Sequence, residues 1–99
     1  GGLNAQTGTS YTLVLADKGK MVENTNAAAI TTTVPPNSSV ALPVNSIVYI
    51  AQGGAGQVTV AAGAGVTLKP ATVKTRAQDS IIAIVKVATD TWRAMGDMA

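Results

Sequence analysis

The stretch GGAGQVTVAAGAGVTL, residues 53–68, decides how this chain is read. A Gly/Ala turn followed by a Val-Thr strand occurs twice in it. Gly53-Gly54-Ala55-Gly56 leads into Gln57-Val58-Thr59-Val60-Ala61, and Gly63-Ala64-Gly65 leads into Val66-Thr67-Leu68. Alternation of Val with Thr is the period-two mark of a β-strand. Two architectures accommodate the echo: successive hairpin arms with Gly supplying positive φ at the corners, or coils of a repeating β-solenoid. Two units fall short of the three or more that a repeat fold needs, so hairpins are the expectation.

The surrounding sequence is β-rich as well. Tyr11 to Leu15 and Met21 to Asn24 flank the turn residues Asp17-Lys18-Gly19-Lys20 and read as a hairpin. Thr25 to Ala29 is too short for a helix in water and is expected to be a loop. Ile30-Thr31-Thr32-Thr33-Val34 stops at Pro35-Pro36, which places that strand at or turning away from a sheet edge. Ser46 to Ala51 has apolar residues on both faces, which suits the middle of a sandwich or a subunit neighbour. Thr72 to Thr75 reads as a short exposed strand. Ser80 to Ala88 is the most apolar run, and with Thr91 to Asp97 it predicts a closing hairpin.

Composition bounds the chemistry. The chain has 99 residues, no His and no Cys. Proton shuttling near neutrality usually recruits His, soft-metal sites use Cys or His, and thiol chemistry needs Cys, so no enzyme, catalytic residue, metal site or cofactor is expected. Ser10, Ser38, Ser39, Ser46 and Ser80 lack a His for a triad, and no spacing selects a Ser-Lys pair. Asp17, Glu23, Asp79, Asp90 and Asp97 are the only carboxylates for a glycosidase pair or a hard cation, and most sit in turn-like contexts. The Gly53–Gly56 loop matches neither phosphate-cradling pattern. Trp92 is read as a core or interface anchor rather than a sugar-stacking platform, with Arg93 pointing the opposite way into solvent.

Only 12% of the residues are charged, about half the usual share, and Tyr11, Tyr49 and Trp92 are the only aromatics. A core of Ala and Val is thin, so burial between copies is expected to complete it. The net charge of +2 is scattered, without the basic clusters and stacking rings of a nucleic-acid binder. No apolar stretch approaches the roughly 20 residues of a membrane span, and no membrane insertion is expected. Residues 1–10 are expected to be a flexible leader, linker or expression scar, with a single β domain over 11–99.

Four ordered segments carry a resemblance to a known family: YTLVLADKGKMVEN (11–24), VPPNSSVALPV (34–44), GAGQVTVAAGAGVTL (54–68) and ATDTWRAMGD (88–97). Together they resemble a β domain of bacteriophage virion proteins, especially the C-terminal part of tail fibres. The resemblance implies a virion component, homotrimeric in a fibre and extracellular after release, that takes part in host recognition by meeting a surface glycan or outer-membrane protein and contacts other virion proteins. A passive trimerisation or decoration module without a ligand is the alternative it leaves open. No receptor-contacting residue is carried over; the loops to watch are Asn24 to Ala29, Pro35 to Ser39 and Lys69 to Asp79. The expected fold is a small antiparallel β-sandwich or barrel of seven to nine short strands.

Overall fold

A computed structural model describes residues 1–99. Ten strands form: β1 (Leu3–Gln6), β2 (Ser10–Thr12), β3 (Met21–Asn24), β4 (Ile30–Val34), β5 (Ile47–Gln52), β6 (Val58–Ala62), β7 (Thr67–Lys69), β8 (Val73–Lys74), β9 (Ile81–Ala88) and β10 (Thr91–Gly96), with one 3-10 turn at Leu15–Asp17. They make a six-stranded sheet in the order β1-β3-β5-β9-β10-β7 and a four-stranded sheet in the order β2-β4-β6-β8.

The all-β expectation holds, but the architecture is a β-solenoid rather than an antiparallel sandwich or barrel. Each of the first three coils lays one strand in the larger sheet and the next in the smaller: β1 then β2, β3 then β4, β5 then β6. Successive coils pair in parallel, so Leu3 stands beside Met21 and Met21 beside Tyr49, while Ser10 stands beside Thr31 and Thr31 beside Thr59. Connections of different length separate these coils, which hides the repeat from a search for a fixed period. The repeat that is visible in residues 53–68 is not the coil, because β6 and β7 lie in different sheets.

The parallel stacking overturns other local expectations. Tyr11 to Leu15 and Met21 to Asn24 do not pair as a hairpin, since β2 and β3 belong to opposite sheets. Residues 1–10 contain β1, which pairs along its length with β3. Strand β4 is interior, held between β2 and β6, because Pro35 and Pro36 lie beyond its last ladder residue and take no donor from it. The closing hairpin forms as read: β9 and β10 pair antiparallel and β9 docks antiparallel on β5. At that end the chain crosses from β7 to β8 and buries Leu68 and Val73.

The core lies between the sheets, which in such packings stand about 10 Å apart. Val22, Val48, Ile50, Ile82, Ile84 and Trp92 of the larger sheet meet Ile30, Val34, Val58, Val60 and Val73 of the smaller, with Leu13 and Leu42 added from connections. Branched side chains fit these positions because their restricted χ1 costs little on a pleated surface.

One corner of the coil stack is glycine-lined. The connections after β3 and β5 lie so close that a Cβ on Gly56 would sit 1.8 Å from the Ala28 carbonyl oxygen. These glycines serve close approach; Gly53, Gly54 and Gly56 do not have the positive φ expected of them, whereas Gly19 and Gly65 do.

Candidate functional site

The two sheets present different outer faces to solvent. On the four-stranded sheet, Ser10, Thr31, Thr59 and Lys74 line one row and Thr12, Thr33 and Ala61 the next. Hydroxyls and one ammonium cover that face, as expected of a hydrated antiparallel or mixed sheet. The outer face of the six-stranded sheet carries Leu3, Met21, Ile47, Tyr49, Val85 and Met95 instead, with Ile81 and Val87 toward its margins. Leu3 is 64% exposed, Met95 61% and Tyr49 39%.

The middle row of this face, Leu3, Met21, Tyr49, Ala83 and Met95, is apolar throughout, with Glu23 in the row on one side and Arg93 and Lys69 in the row on the other; exposed apolar side chains grouped in this way commonly mark an interaction site. A shallow groove of about 430 Å³ indents it, lined by Val85, Val87, Arg93, Ala94 and Met95. Strand β5 therefore has one buried face, Val48 and Ile50, and one open apolar face, Ile47 and Tyr49. Both faces of Ser46 to Ala51 were expected to be covered, and within the single chain only the Val48 and Ile50 face is.

The carboxylates singled out in the sequence are dispersed. Asp17 is buried and accepts from the Tyr11 hydroxyl (2.7 Å), Asn4 Nδ2 (2.8 Å) and the Val14 backbone N–H (2.9 Å). Partial burial and the adjacent Asp17 carboxylate push the Tyr11 phenol up to about 12. Asp97 accepts from Arg76 Nε (2.7 Å) and Nη2 (2.9 Å) and from Ser80 Oγ (2.7 Å). The Arg76 guanidinium and then the Ser80 hydroxyl hold its carboxyl below the usual range. Asp90 Oδ1 accepts from the Asn37 backbone N–H. Glu23 lies on the apolar face with one carboxylate oxygen buried and unpartnered.

Trp92 is 1% exposed, so its ring faces are spent in the core, and Arg93 points outward as read. Of the three loops, the connection after β3 and the segment 75–79 come together at the glycine-lined corner: Asn26 Nδ2 donates to the Thr7 carbonyl, the Gly56 N–H to the Asn26 carbonyl and Gln78 Nε2 to the Gly53 carbonyl. Pro35 to Ser39 lies apart, at the opposite end of the strands, where Asn37 meets Lys86 and Asp90. Lys86 went unremarked in the sequence because it stands within an apolar run; it is 2% exposed and donates to Asn37 Oδ1 (2.8 Å) and the Leu42 carbonyl (2.6 Å).

No family model, curated protein or solved structure matches this chain.

Proposed function

We propose that this chain is a structural domain of a bacteriophage virion, a tail-fibre module that assembles as a homotrimer and takes part in attachment to the host surface. The observation that carries the proposal is the apolar outer face of the six-stranded sheet, left open on an otherwise well-packed chain whose opposite face is covered by Thr, Ser and Lys. A soluble domain with so few charges is protected from indiscriminate association when that face is covered in a defined assembly. The ordered resemblance of residues 11 to about 98 to fibre domains supplies the biological setting. Within it, the connection after β3 and residues 75–79, adjacent at the glycine-lined corner, supply a contact edge that is repeated in each copy. Repetition converts weak single contacts into firm attachment through multivalency.

Fluorescently labelled chain incubated with a panel of bacterial strains tests the attachment role. Adsorption to particular strains, with competition against phage that infect them, is the expected result. An assembled trimer that adsorbs to none of the strains such phage infect would contradict attachment and leave a passive trimerisation module.

A further inference from the structure

One position on the inner side of β9 breaks its apolar pattern. Ile82, Ile84 and Lys86 all point into the core, and Lys86 is as buried as the other two. Trp92, itself buried, stands opposite it on β10. The Lys86 backbone is fixed on both sides: its N–H donates to the Ser46 carbonyl (2.9 Å) and its carbonyl accepts from the Asn45 N–H (2.8 Å). Its ammonium has no carboxylate partner, since the one ion pair of the chain joins Arg76 to Asp97. A cation buried without a counter-ion is costly. Here the partners are two neutral oxygens, Asn37 Oδ1 at 2.8 Å and the Leu42 carbonyl at 2.6 Å.

Asn37 is held as firmly on the other side of this contact. Its backbone N–H donates to Asp90 Oδ1 (2.8 Å), and the turn around it is closed by the Ser39 and Val40 N–H groups on the Pro36 carbonyl (3.0 and 3.1 Å). Cγ lies one C=O bond, about 1.2 Å, beyond Oδ1, which puts the lysine nitrogen within about 4 Å of that carbon. A lysine amine removed from water is a nucleophile. Held against an amide carbonyl, it reacts with the advantage of an intramolecular step.

We infer that Lys86 and Asn37 join in an intramolecular isopeptide bond. Nζ attacks Cγ, so that an Nζ–Cγ bond forms and the Cγ–Nδ2 bond breaks. Of the three ammonium protons, one stays on Nζ and the other two leave with the Nδ2 amino group, which departs as ammonium. Neither an oxidant nor a reductant enters the balance. The product suits the site: the charge leaves the core, and the remaining Nζ–H keeps the Leu42 carbonyl as its acceptor. The bridge ties β9 to the connection between β4 and β5, across 49 positions of sequence, so a chain nicked between them stays in one piece. It forms within a single chain and does not depend on the assembly proposed above.

The intact mass of the purified, folded chain kept at neutral pH tests the bridge. The expected mass falls short of the sequence mass by one ammonia. After denaturation, trypsin is expected to leave the peptide carrying Asn37 joined to the peptide carrying Lys86, with no cut after Lys86. Lys86→Arg, which keeps a cation and its donors but offers no attacking amine, is expected to have the full mass of its sequence, as is Asn37→Ala. Where either variant fails to fold, the branched peptide of the native chain still decides. Lys74→Arg, on the hydroxyl-covered face, is expected to retain the ammonia loss. A native chain at the full sequence mass, cut by trypsin after Lys86, would overturn the bridge. So would an ammonia loss that persists in Lys86→Arg, because it marks an asparagine cyclising on its own backbone.

Discussion

Lys86 donates from the inner side of β9 to Asn37 and to the Leu42 carbonyl, and so holds the connection between β4 and β5 against the end of the core. Truncation strands the buried Leu42 carbonyl and the half-buried Asn37 amide oxygen at once. Lys86→Ala is expected to cost at least about 2–3 kcal/mol, read by urea denaturation. Gly56 acts through space alone: a methyl there meets the Ala28 carbonyl at a distance no atom tolerates, so Gly56→Ala is expected to destabilise by at least about 2 kcal/mol, whereas Gly65→Asn, at a positive φ with open space around it, is expected to change stability little. Tyr11 links stability to alkaline pH. Its folded-state pKa is raised from 10.0 to about 12, so its contribution is intact below about pH 10 and is lost as pH rises toward about 12. The unfolding free energy of the native chain is therefore expected to fall more steeply across that window than that of Tyr11→Phe, in paired denaturant titrations.

At the level of elements, alternation and branching made most strands legible. Ile30 to Val34, Ile47 to Ala51, Val58 to Ala61 and the closing pair over 80–97 all lie where period-two patterning and turn residues put them. Apart from the closing hairpin, their pairing was not legible. A turn such as Asp17-Lys18-Gly19-Lys20 looks the same locally whether it returns a strand to its neighbour or carries it into the opposite sheet, and only long-range packing chooses between them. Polar residues also concealed β1: Asn4 and Gln6 face inward, where Asn4 donates to Tyr11 and Asp17 and Gln6 donates to Asn4. A strand with inward amides carries no hydrophobic alternation. The open apolar face was half legible, because Ile47 and Tyr49 announced a covered face without saying what covers it. The four-stranded sheet gives a control at this scale. Thr31→Val is expected to leave assembly mass unchanged, since it alters the hydroxyl-covered face, and sedimentation of that variant beside the native chain checks this.

For the molecule as a whole, one chain has two outer surfaces with opposite relations to water, and the apolar one lies along the coil axis. Trp92, buried to 1%, secures the sheet from within; Trp92→Ala is expected to cost about 3–5 kcal/mol of chain stability and to lower assembly through loss of the folded sheet. The core on the inner side of that sheet is built of Val, Ile and Leu with Trp92 and contains no Ala, contrary to the thin Ala and Val core expected from composition, and the face on the outer side of the sheet is the one the proposed assembly would cover. Native mass spectrometry at tens of micromolar tests the assembly most directly. The expected particle has three times the 9.9 kDa mass of the chain; a folded species that remains at 9.9 kDa would contradict it.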